Sequence, residues 1–319
     1  MRIVFASKVA RAPVLKALQS AENVELIACD DLAEVASHVH EADALVISDP
    51  RGPAGKAISD ALKRDGCRVK WVQAVTAGVA GLLAHGAPAH VVITNQGGAV
   101  APAVAEHAMT MVLAMARQVG AIIERSGRHQ WNKEFDPALM SVEARTMVIV
   151  GYGNIGRELA KRAKGFGMKL IGVSRSGKGD DLLDEALPLE RLHEALAKAD
   201  VVALTVASAP ATRHLVNAQA FAATKKGAYF VNVSRGETVD QVALKSALES
   251  GQLAGAFLDV TDPEPLPADD PLWDAPNLLI SPHTAGAGST QTGLRIARVV
   301  VGNVQRFQAG EPLLHTVDR

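Results

Sequence analysis

Three charged side chains stand just after apolar runs that are typical of buried strands. They are Arg235, Glu264 and His283 (the catalytic trio), and the runs before them are Ala228–Val233, Ala256–Val260 and Leu278–Ile280. In open α/β sheets, ligands bind outside the carboxyl ends of the strands. One such residue usually has a structural or solvated setting, but three at successive strand ends indicate a catalytic site. We therefore predict that the three residues act together.

A glycine motif lies upstream of the trio. The strand-like run Met147–Val150 leads into G-x-G-x-x-G, and a helical segment follows at Arg157–Lys164. In such a loop the glycines allow a tight turn, a close approach to a pyrophosphate and helix–strand packing, and the helix start offers N–H groups to the phosphates. This context predicts a dinucleotide-binding site. Its expected contacts are Gly151, Gly153, Asn154, Ile155 and Gly156.

The end of the next strand-like run, Lys169–Val173, bears on the choice between NAD and NADP. An NAD site places an acidic residue about 20 residues after the glycine loop, where the carboxylate accepts from the ribose 2′-hydroxyl. This chain has Ser174, Arg175 and Ser176 there, and its first acidic residue is Asp180. Because arginine and hydroxyl groups attract a 2′-phosphate, we predict that NADP is preferred, with NAD as the alternative. A solvated loop without a role is the remaining interpretation.

The segments that must position these residues alternate between strand and helix. The first third of the chain contains five strand-like runs, at Arg2–Ala6, Val24–Ala28, Ala44–Ser48, Val69–Ala74 and Val91–Thr94. From Thr146 a second series has the layout of a six-stranded doubly wound nucleotide domain. Between the two series we predict one long helix over Pro102–Arg125, and after them a last helix over Gly288–Gln308. The fold class is therefore α/β, with two doubly wound parallel-sheet domains.

Length, charge and composition narrow the classes of protein. A chain of 319 residues is long enough for two domains. Its 33 basic and 34 acidic residues leave no basic field for nucleic acid, and no apolar run approaches the roughly 20 residues that span a bilayer. Two cysteines, Cys29 and Cys67, without a C-x-x-C pair argue against a disulfide framework or a structural zinc site. We expect a cytoplasmic protein with no secretion signal, bound metal, nucleic-acid partner or membrane partner.

These motifs together resemble those of the D-isomer-specific 2-hydroxyacid dehydrogenase family, which includes glyoxylate/hydroxypyruvate reductases and phosphoglycerate dehydrogenases. The resemblance covers nearly the whole chain. Its most specific parts are Val231–Gly236, Asp259-Val260, Glu264-Pro265 and Pro282-His283. It implies Rossmann-like domains in which the nucleotide domain is inserted into a discontinuous, flavodoxin-like substrate domain. We expect the substrate domain at residues 1–99 plus 287–319 and the dinucleotide-binding domain at residues 100–286.

Carried over residue by residue, the resemblance implies a role for each member of the trio. His283 would donate a proton to the carbonyl oxygen of a 2-oxoacid as hydride arrives from the nicotinamide, and Glu264 would pair with it and favour the charged imidazole. Arg235 would hold the substrate carboxylate and polarise the carbonyl. The reaction would be reduction of a small 2-oxoacid, such as glyoxylate or hydroxypyruvate, to the D-2-hydroxyacid. Further substrate contacts are expected at Ala77, Gly78, Val79 and Asn95.

The resemblance also implies cofactor contacts outside the glycine loop and a homodimer built largely through the nucleotide domain. Those contacts are Thr205, Val206, Val233, Ser234, Arg235, Asp259, His283 and Gly286. Among them, Asp259 would face the nicotinamide carboxamide. The chain departs from the family pattern at Ala80, Ala207 and Ser234, and every catalytic group stays in place. Glu264 speaks against formate as the substrate, since formate-type relatives pair their histidine with glutamine. The identity of the 2-oxoacid stays open.

Two other classes of protein share parts of this pattern. A non-catalytic dinucleotide sensor, similar to the C-terminal-binding-protein corepressors of the same family, would retain the trio, but it would carry long tails that we do not expect here. An L-lactate-type dehydrogenase would place its glycine loop close to the amino terminus rather than at Gly151. Turnover separates an enzyme from a sensor, since a sensor binds the dinucleotide tightly without oxidising it.

Overall fold

The computed structural model describes residues 1–317, so that Asp318 and Arg319, the end of the expected substrate domain, lie outside the described residues. The chain divides into two compact units. One consists of Met1–Val100 together with the segment from Gly288 onward, and the other is Ala101–Ala287. The first unit is therefore discontinuous in sequence. Within residues 1–317, no helix combines the length and the apolar character needed to cross a membrane.

The first unit is built on a five-stranded parallel sheet. Its strands are β1 (Arg2–Ala6), β2 (Glu25–Ala28), β3 (Ala44–Ile47), β4 (Trp71–Ala74) and β5 (Val92–Thr94). The helices that connect them are α1 (Arg11–Gln19), α2 (Leu32–His38), α3 (Gly52–Leu62) and α4 (Ala80–His85). The strand order is β2-β1-β3-β4-β5, which is the order of flavodoxin-like doubly wound sheets.

The second unit begins with two helices, α5 (Ala101–Ala116) and α6 (Val119–Gly127), and continues into a seven-stranded parallel sheet. The strands are β6 (Thr146–Val150), β7 (Lys169–Ser174), β8 (Glu185–Pro188), β9 (Val201–Leu204), β10 (Ala228–Asn232), β11 (Leu253–Leu258) and β12 (Leu278–Ile280). The connecting helices are α7 (Asn154–Gly165), α8 (Leu192–Leu196), α9 (Ala218–Ala223) and α10 (Gln241–Glu249). The order β12-β11-β10-β9-β6-β7-β8 places the topological switch point between β6 and β9.

The last helix, α11 (Thr290–Ala309), returns to the first unit. Alternate residues of β1 point to opposite faces of the sheet, as the two-residue period of a strand requires. Phe5 packs with α1 and α11, through residues such as Val300, while Val4 packs in the cluster formed with α2 and α3. Both side chains are 0% exposed, and burial of a side chain of this size stabilises the fold by about 1.5–3 kcal/mol.

The predicted α/β class with two parallel sheets is confirmed, while two predicted details are wrong. The second sheet has seven strands and not six, because β8 adds to the edge beside β7 and ends in Pro188, a residue that edge strands tolerate. The helix predicted over Pro102–Arg125 is two helices, because Gln118 has φ 51° and a left-handed residue ends a right-handed helix.

Candidate active site

The trio lies along one edge of the second unit's sheet. Strands β10, β11 and β12 are parallel neighbours, so their carboxyl ends meet at the same edge. Arg235 follows β10, Glu264 follows β11 and His283 follows β12. Sequence spacing alone could place each residue after a strand, and the strand order makes the three loops neighbours.

Glu264 and His283 form a direct pair. Nδ1 of His283 lies 2.6 Å from Oε1 of Glu264, and the two side chains are 43% and 42% exposed. Because Nδ1 makes this contact, Nε2 is the ring nitrogen that can exchange a proton with a ligand. The carboxylate also fixes the orientation of the ring. This is the geometry of a general acid–base pair.

The turn that carries His283 is built around the side chain of Asp259, which is 2% exposed. Its carboxylate accepts from the hydroxyl of Ser281 at 2.5 Å and from the N–H groups of Thr284 at 2.8 Å and Ala285 at 3.0 Å. His283 has φ 54°, a left-handed conformation that costs a non-glycine residue about 1–3 kcal/mol. Asp259 therefore positions His283, a role that no motif reveals. Its contact with the nicotinamide stays a prediction.

The loop that carries Arg235 is tied to the end of β10 by Asn232, which is 0% exposed. Oδ1 of Asn232 accepts from the N–H of Ser234 at 2.9 Å and from its hydroxyl at 2.7 Å, while Nδ2 donates to the carbonyl of Arg235 at 3.1 Å. The hydroxyl of Thr238 donates to the same carbonyl at 2.5 Å. The half-buried Arg235 side chain donates to the carbonyl of Ser234 at 2.6 Å. The arginine thus extends from a loop with a fixed backbone.

A glycine and a glutamine join this loop to the loop that carries Glu264. A Cβ at Gly236 would lie 2.0 Å from the carbonyl carbon of Thr261, so only glycine allows this approach. Gln241, the first residue of α10, donates from Nε2 to the carbonyl of Asp262 at 2.6 Å and accepts from its N–H at 3.0 Å. The backbone two residues before Glu264 is therefore held on both sides. Gln241 is a positioning residue that the sequence pattern does not reveal.

The glycine loop lies between β6 and α7, beside the switch point. A Cβ at Gly151, which has φ 99°, would lie 2.6 Å from the backbone nitrogen of Val206, and a Cβ at Gly156 would lie 2.5 Å from the carbonyl of Gly151. The hydroxyl of Thr205 donates to that carbonyl at 2.6 Å. A Cβ at Gly153 would meet nothing within 4 Å, which leaves space for a pyrophosphate at the helix start. These residues fit a dinucleotide.

The other predicted cofactor contacts fall into three places. Asn154 and Ile155 form the first turn of α7. Ser174 ends β7, and the side chains of Arg175 and Ser176 after it are exposed. The predicted contacts that lie near the trio in sequence are Val233, Ser234 and Gly286. The first two are buried and Gly286 is half-buried. The hydroxyl of Ser234 is engaged within its own loop.

The predicted substrate contacts of the first unit form the loop between β4 and α4. They are Ala77, Gly78 and Val79. Asn95 donates from Nδ2 to the carbonyl of Ala77 at 3.1 Å, and the hydroxyl of Thr76 donates to the carbonyl of Gly78 at 2.9 Å. Asp49, with a side chain 7% exposed, accepts from two N–H groups in the first turn of α4 at 2.9 and 3.0 Å. The structure thus joins Asn95 to the loop and adds Asp49 as its anchor.

Comparison with known proteins identifies the family. The family model for the D-isomer specific 2-hydroxyacid dehydrogenase, NAD binding domain, matches residues 109–285. A glyoxylate reductase of Korarchaeum cryptofilum is 38% identical over 225 residues, which are 69% of this chain and 67% of that protein. A hydroxypyruvate reductase of Thermotoga maritima is 35% identical over 217 residues, which are 66% of this chain and 68% of that protein.

Solved structures resemble the chain over nearly its whole length. A D-isomer-specific 2-hydroxyacid dehydrogenase family protein of Aeromonas salmonicida has a TM-score of 0.87 at 31% identity, covering 99% of this chain and 98% of its own. A D-isomer-specific 2-hydroxyacid dehydrogenase of Xanthobacter autotrophicus, solved with NADPH and MES, has a TM-score of 0.82 at 28% identity with the same coverage. The resemblance seen in the motifs is confirmed: this chain belongs to the D-isomer-specific 2-hydroxyacid dehydrogenase family of NAD(P)-dependent oxidoreductases.

Proposed function

We propose that the protein reduces a small 2-oxoacid, of the size of glyoxylate or hydroxypyruvate, to the D-2-hydroxyacid with NADPH as the hydride donor. The observation that carries this proposal is the 2.6 Å contact between Nδ1 of His283 and Oε1 of Glu264, in a sheet that also carries the glycine loop. The relatives named glyoxylate reductase and hydroxypyruvate reductase support the substrate class.

In this mechanism the bound dinucleotide supplies a hydride to the carbonyl carbon of the 2-oxoacid. His283 donates a proton from Nε2 to the carbonyl oxygen, and Glu264 keeps the imidazole oriented through Nδ1. Arg235 binds the substrate carboxylate with two N–H groups of its guanidinium and polarises the adjacent carbonyl. Ala77, Gly78, Val79 and Asn95 stay proposed substrate contacts.

The preference for NADPH rests on the loop after β7. Arg175 is exposed there, flanked by the hydroxyl groups of Ser174 and Ser176. A guanidinium with two hydroxyl neighbours recognises a phosphate dianion, and a ribose 2′-hydroxyl lacks that charge. The NADPH bound by the Xanthobacter autotrophicus relative is in line with this proposal. NAD(H) is the alternative cofactor.

The test is oxidation of NADPH and of NADH, followed by absorbance, with glyoxylate, hydroxypyruvate, pyruvate and phenylpyruvate. We expect turnover with the two smaller 2-oxoacids and a higher kcat/KM with NADPH. In the reverse direction only the D isomer of a chiral 2-hydroxyacid should be oxidised. Tight dinucleotide binding without turnover of any of the four acids would instead favour a non-catalytic sensor.

We also propose that the protein forms a homodimer through the second unit. None of the residues of α6 is buried. Ile122 and Ile123 of this helix are 46% and 67% exposed, and Trp131 in the following segment is 94% exposed. Apolar side chains grouped in this way are typical of a protein interface. Sedimentation equilibrium should give a dimer, and Ile123→Glu should shift it towards the monomer.

The proposed location is the cytoplasm. Cys29 and Cys67 are both free thiols, and Cys29 is buried. Burial raises the pKa of the Cys29 thiol, which keeps it in the unreactive protonated form. Free thiols fit a reducing compartment. Fractionation of cells with an antibody against the protein tests the location, and a secreted or periplasmic signal would contradict it.

A further inference from the structure

The glycine loop makes one side-chain contact that a dinucleotide motif does not require. The hydroxyl of Tyr152, which stands between the first two motif glycines, donates to Oδ1 of Asp180 at 2.5 Å. Oδ2 of Asp180 lies 3.6 Å from Nε of Arg157, and the guanidinium carbon of Arg157 lies 5.7 Å from the centre of the Tyr152 ring. Tyr152, Arg157 and Asp180 form one group (the tyrosine cluster), which links the glycine loop and α7 to the segment after β7.

The tyrosine cluster anchors one end of the segment formed by residues 174–180 (the ribose loop), because Asp180 is the last residue of that segment. The other end is the last residue of β7, and the middle lies against β8. A Cβ at Gly177 would lie 3.1 Å from the nitrogen of Pro188, and a Cβ at Gly179 would lie 2.9 Å from Cβ of Ala186. The ribose loop is therefore fixed at three places. The side chains that stay exposed between them are Arg175, Ser176 and Lys178.

The carboxylate of Asp180 already contacts both other members of the tyrosine cluster. The hydrogen bond from Tyr152 lowers the pKa of Asp180, while burial, together with this hydrogen bond, raises the pKa of the Tyr152 hydroxyl. Near neutral pH the carboxylate is therefore ionised and the phenol protonated, as the hydrogen bond requires. The N–H of Leu182 also donates to Oδ1, at 3.2 Å. Oδ1 of Asp180 is therefore occupied within the cluster, and Arg157, 3.6 Å from Oδ2, offsets the charge of the carboxylate towards a phosphate.

We propose that the Tyr152 hydroxyl is a positioning group for cofactor choice: it anchors Asp180 to the glycine loop and so holds the ribose loop with Arg175 towards a 2′-phosphate. This inference rests on the proposed preference for NADPH and adds the residue that maintains it. A loop that is already ordered binds its ligand without the entropy cost of ordering. Loss of the anchor should therefore weaken binding of a 2′-phosphate and leave the pyrophosphate contacts of the glycine loop unchanged.

The test uses two probes that lack the nicotinamide, adenosine 2′,5′-bisphosphate and ADP, titrated calorimetrically into the full-length protein. The wild-type protein should bind the bisphosphate more tightly than ADP. Tyr152→Phe keeps the ring beside Arg157 and removes only the hydroxyl, and it should weaken the bisphosphate about 5- to 10-fold with less than about 2-fold change for ADP. Asp180→Asn should act in the same direction. The control is Tyr229→Phe. Tyr229 is the only other tyrosine of the sequence and is buried in β10, so its substitution should leave both affinities unchanged.

The outcomes separate this inference from the proposed function. A wild-type protein that binds both probes equally would overturn the preference for NADPH and the role of Tyr152 with it. A wild-type preference that survives unchanged in Tyr152→Phe would overturn the role of Tyr152 alone. Equal loss of both probes would also overturn it, since the hydroxyl would then support the glycine loop in general. Should Asp180→Asn fail to fold, Tyr152→Phe decides the matter.

Discussion

The two halves of the second unit's sheet end in loops that are held in different ways. Beyond β10 and β12, the loops that carry Arg235 and His283 are tied to the buried side chains of Asn232 and Asp259, which are 0% and 2% exposed. Beyond β6 and β7, the glycine loop and the ribose loop depend on glycine contacts and on the partly exposed tyrosine cluster. Buried ties admit few alternative positions, whereas surface loops tolerate sequence change. The proposed proton-transfer pair is itself exposed, but the turn of His283 rests on a buried side chain, whereas the proposed cofactor choice rests on partly exposed ones.

The largest effect is expected from His283→Ala, which removes the proposed proton donor. We expect kcat/KM for the 2-oxoacid to fall by about 10²- to 10⁴-fold, because the carbonyl oxygen would receive its proton from water. The dissociation constant of NADPH, measured by fluorescence, should change little. His193→Ala, at an exposed histidine of α8, is the matched control and should behave as the wild type. Unchanged turnover in His283→Ala would remove the trio from the mechanism.

Asp259→Ala tests whether the buried carboxylate that holds the turn of His283 affects the rate of the reaction. It leaves the N–H groups of Thr284 and Ala285 without their acceptor, and the loss at the buried N–H of Ala285 should lower the free energy of unfolding by about 1–3 kcal/mol. A displacement of His283 by about 1 Å would lower kcat about 100-fold. Asp259→Asn keeps an acceptor oxygen and should recover part of kcat. A lower melting temperature with wild-type kcat would show that Asp259 serves stability only.

Arg175→Asp should change cofactor choice without changing the chemistry. Loss of charge-assisted hydrogen bonds to the 2′-phosphate, worth roughly 1.5–3 kcal/mol, should raise the KM for NADPH about 10- to 100-fold. The new carboxylate can accept from a ribose 2′-hydroxyl, so the KM for NADH should fall. Lys226→Asp makes the same change of charge on an exposed side chain before β10 and should leave both values as they are. A wild-type enzyme that prefers NADH would contradict this assignment.

The smallest effect is expected from Gln241→Ala, which removes two hydrogen bonds to the backbone of Asp262. Each is worth about 0.5–1.5 kcal/mol, and part of that should appear as a few-fold lower kcat because Glu264 is held less firmly. The ratio of the NADPH and NADH KM values should not change. Gln219→Ala, at an exposed glutamine of α9, is the control. A shift in cofactor preference would break the division between the two halves of the sheet.

The features that could be predicted from the sequence are those that residue type and local position decide. The trio follows apolar runs, and the glycine loop has a strand before it and a helix after it, so the sequence alone predicts both sites. The alternation of runs also predicted two parallel sheets. The helix break at Gln118 could not be predicted, because a single left-handed residue leaves no periodic signal. The edge strand β8 could not be predicted either, because it has only two apolar residues between Glu185 and Pro188.

The contacts that support the two sites could not be predicted from the sequence for a different reason. Tyr152 and Asp180 are 28 residues apart, and Gln241 and Asp262 are 21 apart. Each pair meets because neighbouring strands bring their following loops together, and such pairing is decided by tertiary packing. The sequence predicts that Asp259 belongs to the site. It does not predict that this side chain accepts hydrogen bonds from the turn of His283.

The discontinuity of the first unit bears on the order in which the chain folds during synthesis. The face of the first sheet that carries Phe5 and Trp71 is covered by α11, through Ile296, Val300 and Val304. Those residues leave the ribosome only after the whole of Ala101–Ala287 has been made. The second unit can thus complete its core on the nascent chain, while one face of the first unit's sheet stays without the helix that covers it. Its exposed strands need protection from aggregation until α11 arrives.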